Sequence, residues 1–199
     1  MAKTLIAFYS RRGQNYVDGS IRNLEKGNNE VIVEKIKALL PDADVFQIDT
    51  VKKYSPDYMV CIEEAKEELR TKARPEIKGD IDIAKYDTIY IGWPCWWGTL
   101  PMCMFTFIEK HDWTGKTVIP FTTHEGSGFG SGLRDLKAAV TALGKPERLV
   151  AYNTYQVKDY DRYELAGFSE EAKQQWRDAH WGDDLQKAFD SGYQMAQLL

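Results

Sequence analysis

The sequence predicts an α/β fold in which helices cover both faces of a parallel β-sheet. Short runs of apolar or β-branched residues alternate with segments of helical periodicity, which is typical of strand–helix–strand units. Several of these runs are almost continuously apolar, as expected for strands that are buried on both faces. The five runs that predict strands are residues 5–9, 43–48, 88–91, 117–121 and 149–152.

The predicted strands differ in how well their sequences suit a central position. Runs 5–9, 88–91 and 117–121 are apolar almost throughout, which favours the centre of the sheet. Run 43–48 alternates between apolar and polar residues and suits an edge. Run 149–152 completes a predicted sheet of five strands.

Helical patterns separate the strands. In residues 30–40 the apolar residues recur in a helical rhythm, and Asn28 or Asn29 can cap the helix; they are Val31, Val33, Ile36, Leu39 and Leu40. Further helices are predicted at residues 62–71, 101–110 and 131–143, and from Ser169, as N-cap, to residue 199.

These patterns predict one domain that spans residues 1–199. Its core covers about residues 4–155, followed by a C-terminal helical extension over about residues 169–199. The highly charged segment 54–78 indicates a solvent-exposed helix with its flanking loop.

The composition restricts the classes of function. With 199 residues, of which 43% are hydrophobic, the chain can form a full core. A formal net charge of −4 argues against binding to nucleic acid or to an anionic membrane surface. No apolar run approaches the roughly 20 residues of a membrane helix, and no leader pattern precedes the first strand, so we expect a cytoplasmic protein.

The cysteines and histidines predict neither a disulfide framework nor a metal site. Cys61, Cys95 and Cys103 are odd in number and lack the spacing of metal ligands, so we expect reduced thiols. The three histidines are not paired in the sequence.

One short loop holds three of the six tryptophans. Trp93, Trp96 and Trp97 come directly after the strand-like run 88–91. In open α/β sheets, ligands bind beyond the carboxyl ends of the strands. The loop therefore either covers a flat ligand or packs as an aromatic corner of the core.

A second set of polar residues follows the first predicted strand. Ser10 ends that strand and is followed by Arg11 and Arg12, a combination of hydroxyl and cationic groups that suits a phosphate. The next convincing helix starts only after an irregular stretch, residues 18–25, where Gly27 lets the backbone approach an anion.

In this region the chain resembles the flavodoxin-like family. That family joins a serine or threonine at the end of strand one to a Thr-Gly-Asn-Thr-like turn that opens helix one. Residues 26–30 resemble this turn, with Lys26 and Asn29 in place of the two threonines. The resemblance implies that residues 11–25 are an insertion that splits the phosphate cradle into Ser10 and residues 27–29. Residues 11–16 then either fold back over the phosphate or lie on the surface.

Two later loops extend the resemblance over about residues 4–155. Residues 92–101 and 121–130 resemble the two isoalloxazine-binding loops of a subgroup of flavodoxins and NAD(P)H-dependent oxidoreductases. The resemblance implies a three-layer sandwich with five parallel strands in the order 2-1-3-4-5, and a non-covalently bound FMN. It assigns FMN binding to Ser10, Arg11, Asn15, Gly27, Asn28, Asn29, Pro94, Cys95, Trp96, Trp97, Gly98, Thr123, His124, Glu125, Gly126, Ser127 and Gly128.

The residue types suggest individual roles around the flavin ring. Trp96 or Trp97 can stack on the ring, and Gly98 allows its peptide to reorient at the ring edge. Trp93 and Trp113 are interpreted as packing residues. The run 126–130 can supply backbone donors to the pyrimidine edge of the ring.

Three further residues of these loops need individual interpretation, because they have alternative roles or differ from the family pattern. His124 donates a hydrogen bond to a ring carbonyl when neutral, raises the flavin potential when protonated, or is simply structural. Glu125 stands where the subgroup is expected to have glycine; a carboxylate beside the ring would lower the flavin potential, and one that points to solvent has little effect on it. Cys95 is interpreted as a small loop residue, since no histidine in the sequence suggests an activated nucleophile.

The sequence thus predicts an FMN-binding oxidoreductase that takes electrons from a reduced nicotinamide, NAD(P)H. The alternative is a flavodoxin that carries single electrons between redox proteins. No catalytic side chain and no metal are predicted, and the C-terminal extension is a candidate homodimer contact. A signalling receiver module would need clustered aspartates after strand one, which the sequence lacks.

Overall fold

Five parallel strands form the central sheet of the computed structural model, which describes residues 3–17, 19–144 and 147–148. In chain order the strands are β1 (Thr4–Phe8), β2 (Gly13–Val17), β3 (Ser20–Leu24), β4 (Asp44–Gln47), β5 (Thr88–Pro94), β6 (Thr117–Thr123) and β7 (Glu147–Arg148). The central sheet has the order β4-β1-β5-β6-β7, and β2 and β3 pair separately. The predicted α/β class with a parallel sheet is therefore confirmed.

The sheet differs from the prediction in its strand numbering and at its last strand. Numbered over all strands of the chain the order is 4-1-5-6-7, because two additional strands, β2 and β3, lie between β1 and the edge strand β4 in the sequence; numbered within the sheet alone, the strands follow the predicted order 2-1-3-4-5. Four strands have four to seven residues, whereas β7 has only two. The strand predicted at 149–152 lies outside the described residues, as does the predicted C-terminal extension.

Four α-helices flank the sheet in the described part of the chain, with a short 3₁₀ turn at Ile83–Lys85. They are α1 (Asn28–Leu39), α2 (Tyr58–Thr71), α3 (Met102–Ile108) and α4 (Gly132–Thr141). None of the helices described is long and apolar enough to cross a membrane.

Two helix starts differ from the prediction. Helix α2 begins four residues before the predicted start at residue 62, because the Asp57 carboxylate accepts a hydrogen bond from the Val60 amide at 3.0 Å and caps the helix. Helix α1 is capped at Gly27 rather than at Asn28 or Asn29, since the Glu30 carboxylate accepts from the Gly27 amide at 3.0 Å.

The core lies on both faces of the sheet. Along β1, Leu5 and Ala7 join the larger cluster, which contains Trp93 and Trp113, whereas Ile6 packs on the opposite face. Because successive strand residues point to opposite faces, a strand covered on both sides needs an apolar residue at every position. Trp93 and Trp113 are both fully buried, which confirms their interpretation as packing residues.

Strands β2 and β3 form an antiparallel hairpin between β1 and α1. Its pairing runs from Gly13 opposite Leu24 to Val17 opposite Ser20. The prediction of an irregular stretch over 18–25 is therefore wrong. The sequence does carry a signal for this hairpin, since an Asp-Gly pair at residues 18–19 between two short runs is typical of a two-residue hairpin turn.

Candidate functional site

Three loops at the carboxyl ends of β1, β5 and β6 surround one cavity, which we call the loop cavity. Parallel strands place their carboxyl ends at one edge of the sheet, so residues distant in sequence meet there. The cavity is lined by Ser10, Arg11, Asn15, Tyr16, Asn28, Asn29, Tyr58, Pro94, Cys95, Trp96, Thr123, His124 and Glu125. Eleven of these residues are among those assigned to FMN binding from the sequence.

The structure brings together the two halves of the split cradle. Gly27 lies so close to Ser10 that a Cβ atom on it would be 2.1 Å from the Ser10 Oγ and 2.6 Å from the Arg11 carbonyl oxygen. The Ser10 Oγ accepts a hydrogen bond from the Glu30 amide at 3.4 Å. The φ angle of Gly27 is an ordinary −70°, so the position requires glycine for lack of space rather than for backbone strain.

The first turn of α1 supplies donors at this point. The first amides of a helix have no acceptor within the helix, so those of Asn28 and Asn29 are available to a ligand. The Asn29 side chain is 1% exposed and donates from Nδ2 to the Tyr9 carbonyl at 3.0 Å. Its Oδ1 is buried and has no hydrogen-bond partner within the described residues. An acceptor in this position suits a hydroxyl group of a ligand.

The two arginines after Ser10 point in different directions. Arg11 donates from Nε to the Gln14 carbonyl at 2.9 Å and from Nη2 to the Ser55 carbonyl at 2.8 Å, and it lines the cavity. Arg12 has a 65% exposed side chain and pairs with the Glu30 carboxylate at 2.8 Å. Arg11 therefore folds back toward the cavity, whereas Arg12 lies on the surface.

The hairpin and α2 form one wall of the cavity. Asn15 donates from Nδ2 to the carbonyls of Arg11 and Gly13, both at 3.1 Å, which fixes the base of the hairpin. Tyr16 stacks on Tyr58 of α2, with ring centroids 6.3 Å apart and an interplanar angle of 23°. The inserted segment is therefore tied to the helix that follows β4.

The tryptophan loop makes a tight turn in a strained conformation. The amides and carbonyls of Trp96 and Thr99 exchange hydrogen bonds of 3.0 Å. Between them, Trp97 has a φ of 50° and Gly98 a φ of 77°, the signs of a type I′ turn. A bulky residue with positive φ is an outlier. The Trp97 conformation is held by its Nε1, which donates to the Ile62 carbonyl at 2.9 Å.

The two tryptophans of this turn have different surroundings. Trp96 is partly buried and meets Tyr9 and Tyr54 edge-on, at 5.3 and 5.2 Å between ring centroids. Tyr54 in turn donates to the Glu68 carboxylate at 2.7 Å, and burial raises the pKa of Tyr54. Trp97 is 48% exposed. Trp96 is thus a fixed wall of the site, whereas Trp97 lies at its opening.

The third loop is tied to the tryptophan loop through Gly98. The Gly98 carbonyl accepts from the Ser131 amide at 2.7 Å and from the Ser131 hydroxyl at 3.1 Å. A Cβ atom on Gly130 would be 2.3 Å from this carbonyl oxygen. These contacts fix the carbonyl of Gly98, so a peptide reorientation is confined to the preceding Trp97–Gly98 unit.

The structure places some of the assigned residues away from the cavity lining. Residues 123–125 line the loop cavity. The next three residues, Gly126, Ser127 and Gly128, line neither that cavity nor the one beside it. Gly126 and Gly128 have positive φ angles of 85° and 59°, so they shape the turn of this loop. Gly98, with a φ of 77°, contributes backbone geometry in the same way, whereas Gly27 is required for lack of space.

A second cavity, which we call the α2 cavity, adjoins the first. It has a volume of about 240 Å³ and is lined by Arg11, Asn15, Tyr58, Cys61, Ile62, Ala65, Cys95, Trp96 and Trp97. The sequence interpretation missed the α2 residues because it treated that segment as a solvent-exposed helix. Positions 58, 61, 62 and 65 nevertheless follow the spacing of one helix face, which is the signal that identifies them.

The three cysteines differ in access to these cavities. Burial raises the pKa of Cys61 to about 11 and that of Cys103 further, so both thiols are poor nucleophiles. Cys95 lines both cavities, and its amide donates to the Thr123 carbonyl at 2.8 Å. Cys95 is therefore a small loop residue on the wall between the loop cavity and the α2 cavity.

Known proteins resemble the chain over most of its length. A family model described as flavodoxin matches residues 3–160. A candidate flavoprotein of known structure from Bacteroides eggerthii DSM 20697 is 29% identical, with a TM-score of 0.58 over 90% of this chain and 98% of that chain. A second candidate flavoprotein, from Bacteroides uniformis ATCC 8492, is 28% identical, with a TM-score of 0.54 over 88% and 97% of the two chains.

A more distant structure contains a cofactor. The flavoprotein from Lactobacillus acidophilus NCFM, solved in complex with FMN, is 21% identical, with a TM-score of 0.57 over 74% of this chain and 93% of that chain. At this identity the likeness shows a shared fold. No curated protein matches the chain.

Proposed function

Because the chain belongs to the flavodoxin family, we propose that it binds FMN non-covalently in the loop cavity and transfers electrons through it, with NAD(P)H as the donor. The observation that carries the proposal is the meeting of three loops around one cavity: the split cradle, the tryptophan loop and residues 123–125. The relative from Lactobacillus acidophilus, which shares this fold, was solved with FMN.

The cradle suits the phosphate end of FMN. A dianionic phosphate is well bound by helix N-terminal amides and hydroxyl groups without a metal. Here the amides of Asn28 and Asn29 and the hydroxyl of Ser10 are the proposed donors, and the Asn29 Oδ1 is the proposed acceptor for a hydroxyl of the sugar chain. Arg11 adds a positive charge to the wall of the same cavity.

The other two loops are the proposed site of the ring. FMN supplies the redox chemistry when bound, and the protein orients it and adjusts its electrostatic surroundings. Residues 94–96 and 123–125 line the same cavity as the cradle. The Glu125 carboxylate there disfavours additional negative charge, which lowers the potential of a nearby ring.

A separate observation supports a small-molecule donor. The α2 cavity opens beside the loop cavity and shares Arg11, Asn15, Tyr58, Cys95 and Trp96 with it, so the open space extends from the loop cavity along α2, which supports access of a small molecule to the cofactor. The alternative, a one-electron carrier between proteins, is favoured by a different feature. Three apolar residues of α2 and the tryptophan loop are exposed, namely Met59 at 57%, Val60 at 51% and Trp97 at 48%.

Anaerobic mixing separates the two functions. The purified protein is expected to be yellow and to release FMN rather than FAD on denaturation. Addition of NADH or NADPH without oxygen is expected to bleach the flavin absorbance rapidly. No bleaching by either nucleotide, together with reduction by a ferredoxin-type reductase, would establish the carrier instead. A colourless protein that binds no added FMN would contradict both.

A further inference from the structure

The sequence predicts that Gly98 lets a peptide of the tryptophan loop reorient, and the structure shows what opposes this. The turn has Trp97 as its first central residue, with a φ of 50°, and Gly98 as its second, with a φ of 77°. The first central position of a type I′ turn normally holds Asn, Asp or Gly. Of the residues that the structure describes, Lys72 is the other non-glycine with a positive φ, and it ends α2, where that conformation is common. Trp97 therefore occupies a position that favours other residue types.

The order of the two central residues decides whether the peptide between them can turn over. That peptide is the one left to move, since Ser131 holds the Gly98 carbonyl. Turning it over would convert the type I′ turn into a type II′ turn, in which the first central residue has a φ of about 60° and a ψ of about −120°. That conformation suits glycine and excludes a residue with a Cβ atom. With Trp97 in the first position, the freedom of Gly98 in the second cannot be used.

The side chain of Trp97 closes the other route to a different turn. Its Nε1 donates to the Ile62 carbonyl at 2.9 Å, and the Lys66 Nζ lies 5.1 Å from the centre of its ring. A turn with Trp97 at a negative φ would carry the indole away from α2 and break both contacts. It would also disturb the two hydrogen bonds of 3.0 Å between Trp96 and Thr99 that close the turn. The central peptide is thus fixed by the backbone and by α2.

A fixed peptide affects how electrons reach a flavin beside it. The N5 atom of an oxidised flavin accepts hydrogen bonds, whereas after the gain of one electron and one proton it carries a hydrogen and donates one. A peptide that turns over offers its N–H to the first state and its C=O to the second, which stabilises the one-electron state. The Gly98 amide has no acceptor among the residues that the structure describes. A fixed Gly98 amide offers a donor to both states, so it supports the oxidised state and opposes the one-electron state.

We propose that Trp97 makes the bound flavin accept electrons in pairs, because its Cβ atom and its contacts with α2 hold the Gly98 amide in one direction in every redox state. The inference rests on the proposed function, since it takes the tryptophan turn to lie at the N5 edge of the ring. It deepens that function by naming the substrate class, a hydride donor. Such a donor passes two electrons and one proton to N5 together, and NAD(P)H leaves as the oxidised nicotinamide.

A matched pair of variants separates the Cβ atom from the indole. Trp97→Asn and Trp97→Gly both remove the indole, but Asn-Gly retains the type I′ turn, whereas Gly-Gly also permits type II′. The FMN-loaded proteins are reduced stepwise with dithionite without oxygen, and the flavin radical at half reduction is quantified by electron paramagnetic resonance. We expect the wild type and Trp97→Asn to form no more radical than free FMN. Trp97→Gly is expected to form at least about 5-fold more, because a forbidden backbone conformation becomes accessible.

The apoprotein gives a second readout that does not depend on the flavin. In protein with isotope-labelled glycine, the nuclear magnetic resonance signal of the Gly98 amide is identified by its loss in Gly98→Ala. We expect one Gly98 signal in the wild type and in Trp97→Asn, and two signals or a broadened one in Trp97→Gly. Lys72→Gly is the control for a glycine at positive φ, since Lys72 lines neither cavity. This control is expected to match the wild type in both measurements.

The outcomes distinguish this inference from the FMN proposal. A wild-type radical yield well above that of free FMN, or an equal rise in Trp97→Asn and Trp97→Gly, overturns the inference while leaving FMN binding intact. A single Gly98 signal in Trp97→Gly at the wild-type position also overturns it. If the protein binds no FMN, the proposed function fails, and the Gly98 signals still show whether Trp97 fixes the turn. The wild-type measurement stands by itself if a variant fails to fold.

Discussion

The two ends of the candidate site are built in opposite ways. At the cradle, Gly27, Asn29 and Glu30 are buried and their side chains or amides are held by short-range hydrogen bonds. At the tryptophan loop, Trp97 is half exposed and Gly98 follows it in a turn where both have positive φ angles. The cradle is fixed by close contact, whereas the loop is held in a strained backbone conformation by hydrogen bonds from the Trp97 indole and from Ser131.

This difference determines how each end of the site responds to an added methyl group. A cradle with no free space fails when a single methyl group is added, because the Ser10 hydroxyl and the backbone carbonyl of Arg11 already fill the position. A turn with open space around it accepts a methyl group sterically and responds only through its backbone conformation. The predictions below separate these two kinds of sensitivity.

The largest effect is expected for Gly27→Ala. The new Cβ would overlap the Ser10 Oγ and the Arg11 carbonyl, so the two halves of the cradle must separate. We expect the FMN affinity to fall at least about 100-fold, since two or more charge-assisted hydrogen bonds to phosphate are lost at about 1.5–3 kcal/mol each. Fluorescence titration with FMN measures this.

Gly19→Ala is the control for that change. Gly19 has a φ of 73° and nothing within 4 Å of its would-be Cβ, and it lies in the hairpin away from the cradle. This variant is expected to lose stability but to keep its FMN affinity. Equal losses of affinity in both variants would show that the cradle is not the phosphate site.

A smaller effect is expected for Gly98→Ala in the tryptophan loop. Gly98 and Gly115 have similar φ angles, 77° and 70°, and neither has an atom within 4 Å of a would-be Cβ. Each alanine variant is expected to lower the free energy of unfolding by about 1–2 kcal/mol through the left-handed backbone conformation. Chemical denaturation measures both.

The FMN affinity tells the two variants apart. Gly98→Ala is expected to weaken FMN binding less than Gly27→Ala does, and Gly115→Ala is expected to leave it unchanged. If Gly98→Ala matches Gly27→Ala in lost affinity, the contrast between a rigid and a strained end is wrong.

Cys95 offers a test of the boundary between the two ends. It lines both cavities, while Cys61 and Cys103 are buried with raised pKa values. We expect a thiol reagent at neutral pH to modify Cys95 first, and FMN to slow that modification several-fold. Mass spectrometry identifies the labelled residue. Fast labelling of Cys61, or no protection by FMN, would place the cofactor elsewhere.

The smallest effect concerns His111, which lies outside both cavities. Burial lowers its pKa below 6.5, and the Asp80 carboxylate at 3.2 Å opposes this only in part. The folded protein therefore binds fewer protons at this group than the unfolded chain does, so stability falls as the pH decreases from 7 through 6.5. Denaturation of His111→Gln at pH 7 and 5.5 is expected to show a smaller pH dependence than the wild type, with FMN affinity unchanged. An identical pH dependence would exclude His111 as its source.

Much of the cradle and the core was predictable from the sequence. The continuous apolar run at residues 5–9 indicates a strand buried on both faces, and Ser10 with Gly27 indicates two parts of one cradle. In the structure Ser10 and Gly27 are in direct contact, since a Cβ atom on Gly27 would be 2.1 Å from the Ser10 Oγ. The strand follows from the local sequence, whereas the pairing of Ser10 with Gly27 follows from the resemblance to the flavodoxin-like family.

Other features depend on contacts between distant elements. The positive φ of Trp97 is held by the carbonyl of Ile62, 35 residues away, and no local pattern predicts it. The helix face at residues 58–65 was hidden because charged residues dominate the composition of that segment. This helix face forms a cavity wall only together with the tryptophan loop, which lines the same cavity.

A titration of the apoprotein with FMN and with riboflavin tests the central claim most directly. Riboflavin has the same ring but lacks the phosphate, so it measures the ring site without the cradle. The account predicts that one FMN binds per chain and that riboflavin binds at least about 100-fold more weakly. Equal affinity for the two compounds, or no binding of FMN, would contradict it.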